Sequence, residues 1–310
     1  MSSPAGAAHD NPLGAAFYAD QALHGRAAVV ENVCLARDTY RVRLAWPELA
    51  RRIVPGQFVM LRLAGSGDPL LGRPLALYDT WCDAGGTQRG IDVVYLVVGK
   101  MTRRLAEVRA GDELDVWGPL GNGFSAAPVK HLVMVAGGIG QTPFLALGRE
   151  ATGGRTYGEP GRPARLSSPK SGPGAQRITL CYGVRSAEYL AGVEDFEQAG
   201  VDVRISSDDG SVGHRGLVTE LLAQVLDEKG EDASGGVRIA CCGPERMMEA
   251  VAHLAATRGV PCEVSLETPM ACGIGICFSC VVKVRQADGT WDYKRTCVEG
   301  PIFSAEKIEW

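Results

Sequence analysis

Polar and apolar residues alternate with a period of two in the early part of the chain: Tyr40, Val42 and Leu44 are interleaved with Arg41 and Arg43. That is the pattern of a strand with one buried face. β-rich runs recur at Ala27 to Cys34, Gln57 to Leu63, Ile91 to Val98 and Glu113 to Trp117, with turns at Pro55-Gly56 and Ala110-Gly111-Asp112. One short helix is expected from about Thr102 to Val108. Many short strands and little helical periodicity predict a β-barrel over residues 24–127. Past Pro128 the pattern becomes strand, glycine turn, helix. Strands are expected at His131 to Ala136, Arg177 to Tyr182, Val201 to Ser206, Val237 to Cys242 and Glu263 to Leu266. Helices are expected at about Pro143 to Thr152, Ala187 to Gln198, Leu217 to Lys229 and Pro244 to Arg258. This order predicts an α/β domain with a parallel sheet over residues 128–266. Residues 152–175, rich in Gly, Pro, Ser and Arg without apolar period, read as a flexible surface insertion. Residues 1–23 read as a disordered leader, with no basic start and apolar run of the kind that marks a signal peptide or anchor.

Composition narrows the function classes. A length of 310 residues suits about two domains, each with its own core. A net charge of -4 with both signs mixed gives no basic footprint, so no nucleic acid is expected. No apolar run is long enough to cross a bilayer, and the chain reads as cytoplasmic, without membrane contact. Ten cysteines are present, and the six outside the C-terminal region show no disulfide-framework spacing. Cys34, Cys82, Cys181, Cys241 and Cys262 read as small apolar residues in or near strands. The five histidines are read as structural or solvated.

The chemistry is concentrated at the C-terminus. Cys272, Cys277 and Cys280 run C-x4-C-x2-C, and Cys297 follows after sixteen residues, the plant-type spacing for a [2Fe-2S] cluster. Four thiolates must converge on two irons while the backbone curls around the sulfides. Gly273 and Gly275 permit that curl by taking positive φ. A four-cysteine zinc site is the alternative, but its usual paired C-x2-4-C spacing fits poorly; reduced core cysteines are another. Residues 267–310 are therefore read as a small cluster module. Ile274, Ile276 and Phe278 are expected either to shield the cluster from water or to face a partner.

Glycine turns end the strands of the second half. Gly137-Gly138-Ile139-Gly140-Gln141-Thr142-Pro143 stands where an apolar strand gives way to a helix, the position at which open α/β sheets bind ligands. Thr142 is expected to cap that helix and Pro143 to occupy its first turn. Cys242-Gly243-Pro244 forms a second turn that can face the same cleft, with Cys242 either beside a nicotinamide ring or buried at the strand end. Tyr182 to Arg185 and Asp208 to Ser211 end two further strands as candidate nucleotide contacts or ordinary turns. Acidic Asp208 and Asp209, without a basic cluster, favour NAD over NADP. In the barrel, Arg73-Pro74 offers a fixed-charge guanidinium suited to a pyrophosphate. The helix start after Gly99-Lys100-Met101-Thr102 offers free N–H groups for an anion. Gly118 to Phe124 is expected to join barrel and second domain.

The order of these motifs resembles the ferredoxin-NADP reductase superfamily from about Gly25 to the C-terminus, apart from the insertion. Arg73-Pro74 resembles its R-P-x-[ST] flavin motif, Gly137 to Pro143 its G-G-x-G-x-[ST]-P loop, and Cys242-Gly243-Pro244 its C-G-P. Glu267 to Cys280 and the closing Cys297 to Phe303 look like the electron-transfer subunit of NAD-dependent dihydroorotate dehydrogenase. The resemblance implies FAD on Arg73, Pro74, Leu75, Ala76, Val94, Tyr95, Leu96, Met101 and Thr102. It implies NAD on Gly137, Gly138, Gly140, Thr142, Cys242, Gly243 and Pro244, and the cluster on Cys272, Cys277, Cys280 and Cys297. Ala76 stands where the flavin motif carries serine or threonine, and Met101 where relatives often carry glycine. An FMN-containing dihydroorotate dehydrogenase catalytic subunit is the implied partner, in a heterotetramer of two of each. Electrons from its FMN then pass through the cluster singly to FAD and as a hydride to NAD+, in pyrimidine (UMP) synthesis, and no catalytic acid or base is assigned. Alternatives are the flavin and iron–sulfur subunit of another NAD(P)H:ferredoxin-type oxidoreductase or hydrogenase, or a zinc-bearing interaction module.

Overall fold

The computed structural model describes residues 15–20, 22–159, 175–228 and 236–310. Six antiparallel strands form the first unit: β1 (Leu23–Ala36), β2 (Thr39–Ala45), β3 (Phe58–Leu63), β4 (Arg73–Cys82), β5 (Gln88–Leu96) and β6 (Glu113–Leu120). They close in the order β1-β2-β5-β4-β3-β6, with β6 paired back to β1, so the barrel has no free edge. The alternation along β2 is realised: Val42 and Leu44 are fully buried with Ala27, Leu61, Val93 and Val116 in the barrel core. The sequence pattern did not set β4 apart as a strand, because Pro74 interrupts it and Asp79 and Thr80 stand at buried positions. Two short helices accompany the barrel, α1 (Pro47–Arg52) and α2 (Lys100–Ala106).

The second unit holds β7 (His131–Gly137), β8 (Arg177–Val184), β9 (Asp202–Ser207), β10 (His214–Arg215), β11 (Val237–Cys242) and β12 (Cys262–Ser265). With them run α3 (Phe144–Ala151), α4 (Val193–Gln198), α5 (Val218–Asp227) and α6 (Glu245–Thr257). The sheet order is β10-β9-β8-β7-β11-β12, parallel throughout, and a seventh strand from the end of the chain adds beyond β12. The helix expected from Ala187 to Gln198 is broken: a single turn at Ala187–Tyr189 is followed by Gly192 at φ 73°, and α4 starts only after it. Thr142 makes no cap. Residues Gly138–Gln141 form a tight turn of their own, and Pro143 is the residue that precedes α3, without a side-chain cap bond.

The remaining chain carries a hairpin of β13 (Val281–Arg285) and β14 (Trp291–Arg295), the short helix α7 (Thr296–Glu299) and β15 (Ile302–Ser304). β15 pairs antiparallel with β12, so the chain returns to the nucleotide-domain sheet after the cysteine region and clamps it from both ends. Asn122 stitches the junction, donating to the Ile302 carbonyl and accepting its N–H, both at 2.9 Å. Barrel and sheet also meet at Tyr78, whose hydroxyl donates to Asp195 at 2.7 Å, and at buried Asp79, which takes Tyr157 Oη at 2.6 Å with Arg149 and Arg155.

Two expectations change. The leader is not structureless throughout: Ala15 is buried against Cys280, Cys297 and Val298, and Phe17 N–H donates to the Val298 carbonyl at 2.9 Å. Residues 1–14 lie outside the described residues. Of the insertion, residues 160–174 lie outside them, while Arg155 and Tyr157 just before are packed on Asp79.

Candidate functional site

A cleft of about 1080 Å³ opens over the carboxyl ends of β7, β8, β9 and β11 and reaches the barrel at Thr39, Leu96 and Val98. The two glycine turns form its floor. Gly140 is fixed by close approach: a Cβ there would stand 2.2 Å from the Cys242 carbonyl oxygen and 2.8 Å from Gly243 Cα. The strand-to-helix loop and the Cys242-Gly243-Pro244 turn are therefore in backbone contact, which no side chain at 140 permits. Gly137, Gly138, Gly243, Pro244 and Leu96 line the cleft, whereas Gly140, Thr142 and Cys242 lie behind that wall. Burial pushes the Cys242 thiol up to about 12, with the charge of Glu267 adding to it. It is a neutral thiol packed on the sheet.

Two wall residues were missed by motif reading. Gln141 is fully buried with neither its amide oxygen nor its nitrogen hydrogen-bonded, and the Ser206 hydroxyl at the end of β9 is likewise buried and unpartnered. Both residues border the cleft, and an unsatisfied buried polar group costs about 1–3 kcal/mol. A long amide in a G-G-x-G-x-T-P loop was the available signal. Asp208 and Arg185 both line the nucleotide end of the cleft. Asp209 is held in its own turn by the Ser211 N–H at 2.9 Å and hydroxyl at 2.6 Å, which lower its carboxyl below the usual range. The cleft's glycine floor and orphaned polar groups fit a dinucleotide.

On the barrel, Arg73 is exposed, and its guanidinium donates to the neighbouring carbonyls of Leu71 and Gly72 at 3.3 and 3.0 Å. Among the described residues no ion pair is made by Arg73, which leaves its charge for an anion. Pro74, Leu75 and Ala76 continue along β4, half-buried. Val94 and Tyr95 are buried on opposite sides of β5, Val94 with the core of the second unit and Tyr95 in the barrel, where it donates to Asn32 at 3.1 Å. The Met101 side chain is buried in the barrel core. At the start of α2 the Thr102 hydroxyl takes the N–H groups that precede the helix, not those of Lys100, Met101 and Thr102 in its first turn. Thr102 Oγ1 accepts the N–H groups of Val98 and Gly99 at 3.0 and 3.1 Å, because a hydroxyl three residues into a helix folds back on its first turn. The uncompensated Arg73 and the apolar Leu70 and Leu71 beside it, 66 % and 48 % exposed, fit a flavin nucleotide.

The four cysteines are grouped two and two. Cys280 and Cys297, both buried, have sulfurs 3.3 Å apart. Cys272 is half-buried and Cys277 exposed. Gly273 and Gly275 take φ of 74° and 87° between them, and Ile274 N–H points at Cys272 Sγ at 3.4 Å. The hydrogen bond with Cys297 holds Cys280 down at about 6, while the Cys297 thiol is pushed up by the same contact and by burial. Burial opposes ionisation of Cys277, but hydrogen bonds with Ser279 and Cys272 together outweigh it and hold that thiol at about 6 as well. Among the described residues no three His, Cys, Asp or Glu side chains converge as ligands of one metal ion. Two pairs of thiols fit two irons bridged by sulfide better than one tetrahedral zinc. Only Ile274 packs inward. Ile276 and Phe278 are 64 % and 60 % exposed and do not shield the cysteines from water. Phe278 lies under the Arg295 guanidinium, 5.0 Å from its ring centre, and Arg295 holds the Gly275 carbonyl at 3.2 Å.

Comparison with known proteins agrees with this layout. Residues 26–124 match an oxidoreductase FAD-binding domain, residues 134–253 an oxidoreductase NAD-binding domain, and residues 267–309 the iron-sulfur cluster binding domain of dihydroorotate dehydrogenase B. Among solved structures, one of an NADH-dependent reduced ferredoxin-NADP oxidoreductase superposes with a TM-score of 0.72 at 29 % identity, covering 92 % of this chain and 90 % of that one. A ferredoxin NADP+ reductase from Neisseria gonorrhoeae shares the fold at a TM-score of 0.57 and 15 % identity, over 76 % of this chain and 92 % of its own. The dihydroorotate dehydrogenase B (NAD(+)) electron transfer subunit of Caldanaerobacter subterraneus is 31 % identical over 91 % of this chain and 97 % of its own. That of Desulforamulus reducens is 34 % identical over 92 % and 97 %. With barrel, nucleotide sheet and cysteine module all matched in one order, the chain belongs to the family of dihydroorotate dehydrogenase B (NAD(+)) electron transfer subunits.

Proposed function

We propose that this chain is the electron outlet of a dihydroorotate-oxidising complex in pyrimidine synthesis, taking electrons from an FMN-containing catalytic subunit and delivering them to NAD+. The observation that carries this reading is continuity: the Cys272 loop packs on β3 and β6 of the barrel, and the same barrel opens into the dinucleotide cleft through Thr39, Leu96 and Val98. When bound, the cluster supplies single-electron transfer, and the flavin joins single electrons into the hydride that nicotinamide accepts.

The protein's own task is positioning. Cys272, Cys277, Cys280 and Cys297 supply the four thiolates, and Arg73 anchors the flavin pyrophosphate at the head of β4. Gly137, Gly138, Gly243 and Pro244 bring backbone close to the dinucleotide, while Gln141 and Ser206 give it hydrogen bonds. Asp208 favours a ribose hydroxyl over a phosphate, which supports NAD. The exposed pair Ile276 and Phe278 forms the face presented to the partner, beside the exposed ligand Cys277. A heterotetramer of two of each subunit is the assembly, and ten unpaired cysteines suit the reducing cytoplasm. Among the described residues no helix is long and apolar enough to cross a membrane.

The match to the NADH-dependent ferredoxin-NADP oxidoreductase structure favours one second reading, the same relay serving a different partner. Anaerobic purification with and without an FMN-containing dihydroorotate dehydrogenase decides between them. Iron, flavin and dihydroorotate-dependent NADH formation are measured. NADH forms only with the partner present, and Cys280→Ser abolishes it while the partner still reduces artificial acceptors. A loaded chain that gives no NADH with that partner, or a Cys280→Ser variant at the parent rate, refutes the assignment.

A further inference from the structure

The barrel strand β6 places Trp117 between the two regions that electrons must connect. Its indole N–H donates to the carbonyl oxygen of Cys272 at 2.9 Å, across 155 residues of sequence. The other edge of the ring faces Gly72: a Cβ at that position would lie 2.7 Å from Trp117 Cη2, so residue 72 has room for hydrogen alone. Gly72 is followed directly by Arg73. His24 on β1 stands across the ladder with its ring 6.3 Å away, and Met60 is the ladder partner on β3. Met60 in turn meets the cysteine loop, since a Cβ on Gly273 would stand 2.6 Å from Met60 Cγ. One half-buried side chain thus touches the residue before the flavin-binding arginine and the backbone of the first cluster cysteine.

We propose that Trp117 is a positioning residue for electron transfer, fixing the Cys272 loop against the strand that carries Arg73 through its N–H bond and its packing on Gly72. The proposal rests on the assignment of Arg73 to the flavin and of Cys272 to the cluster. The physical argument is that of an outer-shell partner. The loop from Cys272 to Cys280 has two glycines at positive φ and exposed apolar residues at its tip. Met60 beneath Gly273 and Arg295 on the Gly275 carbonyl hold its middle, and the Trp117 bond fixes the distance of its first residue from β6. Groups that orient metal ligands in this way change affinity or activity about 10–100-fold when removed. Hydrogen bonding and solvent access near the sulfurs also set a cluster's spectroscopic signature and potential.

The experiment uses the assembled, loaded complex. NADH delivers a hydride, two electrons and a proton, to the flavin, which then passes one electron to the oxidised cluster. Stopped-flow absorbance follows the two events separately, and circular dichroism of the oxidised cluster with electron paramagnetic resonance of the reduced one reads its surroundings. Trp117→Phe deletes the N–H together with the part of the ring that reaches Gly72, so it removes both contacts. Its cluster reduction slows relative to its flavin reduction by about 10–100-fold, with altered dichroism and g-values. Benzothienylalanine at position 117, with sulfur in place of the N–H and the ring shape kept, gives the same change if Trp117→Phe folds poorly. A parent-like ratio and spectra in a fully loaded variant overturn the role of Trp117 alone. A parent complex without iron or flavin overturns the functional assignment, and this proposal with it.

Discussion

Replacing Gly140 by alanine tests the geometry of the nucleotide cleft. Gly140 has no positive φ to protect, so the cost is steric: the new methyl would meet the Cys242 carbonyl oxygen at 2.2 Å and its carbon at 2.6 Å. Ordinary contact needs about 1 Å more, and the atoms in the way are backbone, which cannot rotate aside. The β7–α3 loop must lift from the Cys242-Gly243-Pro244 turn by that amount. Overpacking of this kind costs about 1–3 kcal/mol, and a misplacement of about 1 Å at a reacting centre costs about 100-fold in rate. Gly153 supplies the control. It lies just past α3, outside the cleft lining, with φ of 76° and open space where its Cβ would be, so Gly153→Ala brings only local backbone strain, about 1–2 kcal/mol. Anaerobic stopped-flow reduction of the bound flavin by NADH, beside melting temperature, separates the two variants. Gly140→Ala should lose most of its NADH-dependent flavin reduction and keep its iron and flavin. Gly153→Ala should lose a similar amount of stability and much less rate. Parent-like flavin reduction in Gly140→Ala would show that the two turns do not form the floor of the hydride site.

Gln141→Leu should raise the melting temperature of the nucleotide-free protein, since an unsatisfied buried amide costs about 1–3 kcal/mol, and weaken NADH binding about tenfold. Unchanged NADH titrations would show that the amide has no ligand partner. Deleting residues 1–22 should expose the Cys280–Cys297 side of the cluster, where Ala15 and Phe17 now lie, and speed bleaching of cluster absorbance in air; equal decay rates would contradict that covering role. Arg204 and Arg177 hold Glu228 down at about 2, so its pairing stabilises the fold fully above about pH 4.5 and is lost as pH falls towards 2. Glu228→Gln should therefore lower the melting temperature slightly at neutral pH, as the pair is exposed, with the difference vanishing near pH 2. A deficit that persisted there would assign the effect to packing.

Much of this protein is written locally. The cysteine spacing fixes how many thiolates one short loop can bring together, and glycines 273 and 275 supply the backbone turns that this requires. Period-two alternation marked β2, and the glycine turns after β7 and β11 marked the carboxyl edge of the sheet, because each signal depends on residues within a few positions of one another. Side-chain direction at the ends of elements was less legible. Met101 points into the barrel core and Thr102 bonds its own helix start, since the barrel interior, formed by strands distant in sequence, took the larger apolar side chain.

The sequence by itself determined the barrel-then-sheet order, the four thiolates and the glycine loops of the dinucleotide cleft. Only the tertiary structure decided that Ile276 and Phe278 face outward and that the leader from Ala15 covers one cysteine pair. The same holds for the burial of Gln141 and Ser206 without partners and for the meeting of Trp117 with Cys272. Spacing and turn chemistry act through bonds and torsions close along the chain. Burial, orphaned polar groups and contacts across 155 residues exist only once separate segments share one packed interior.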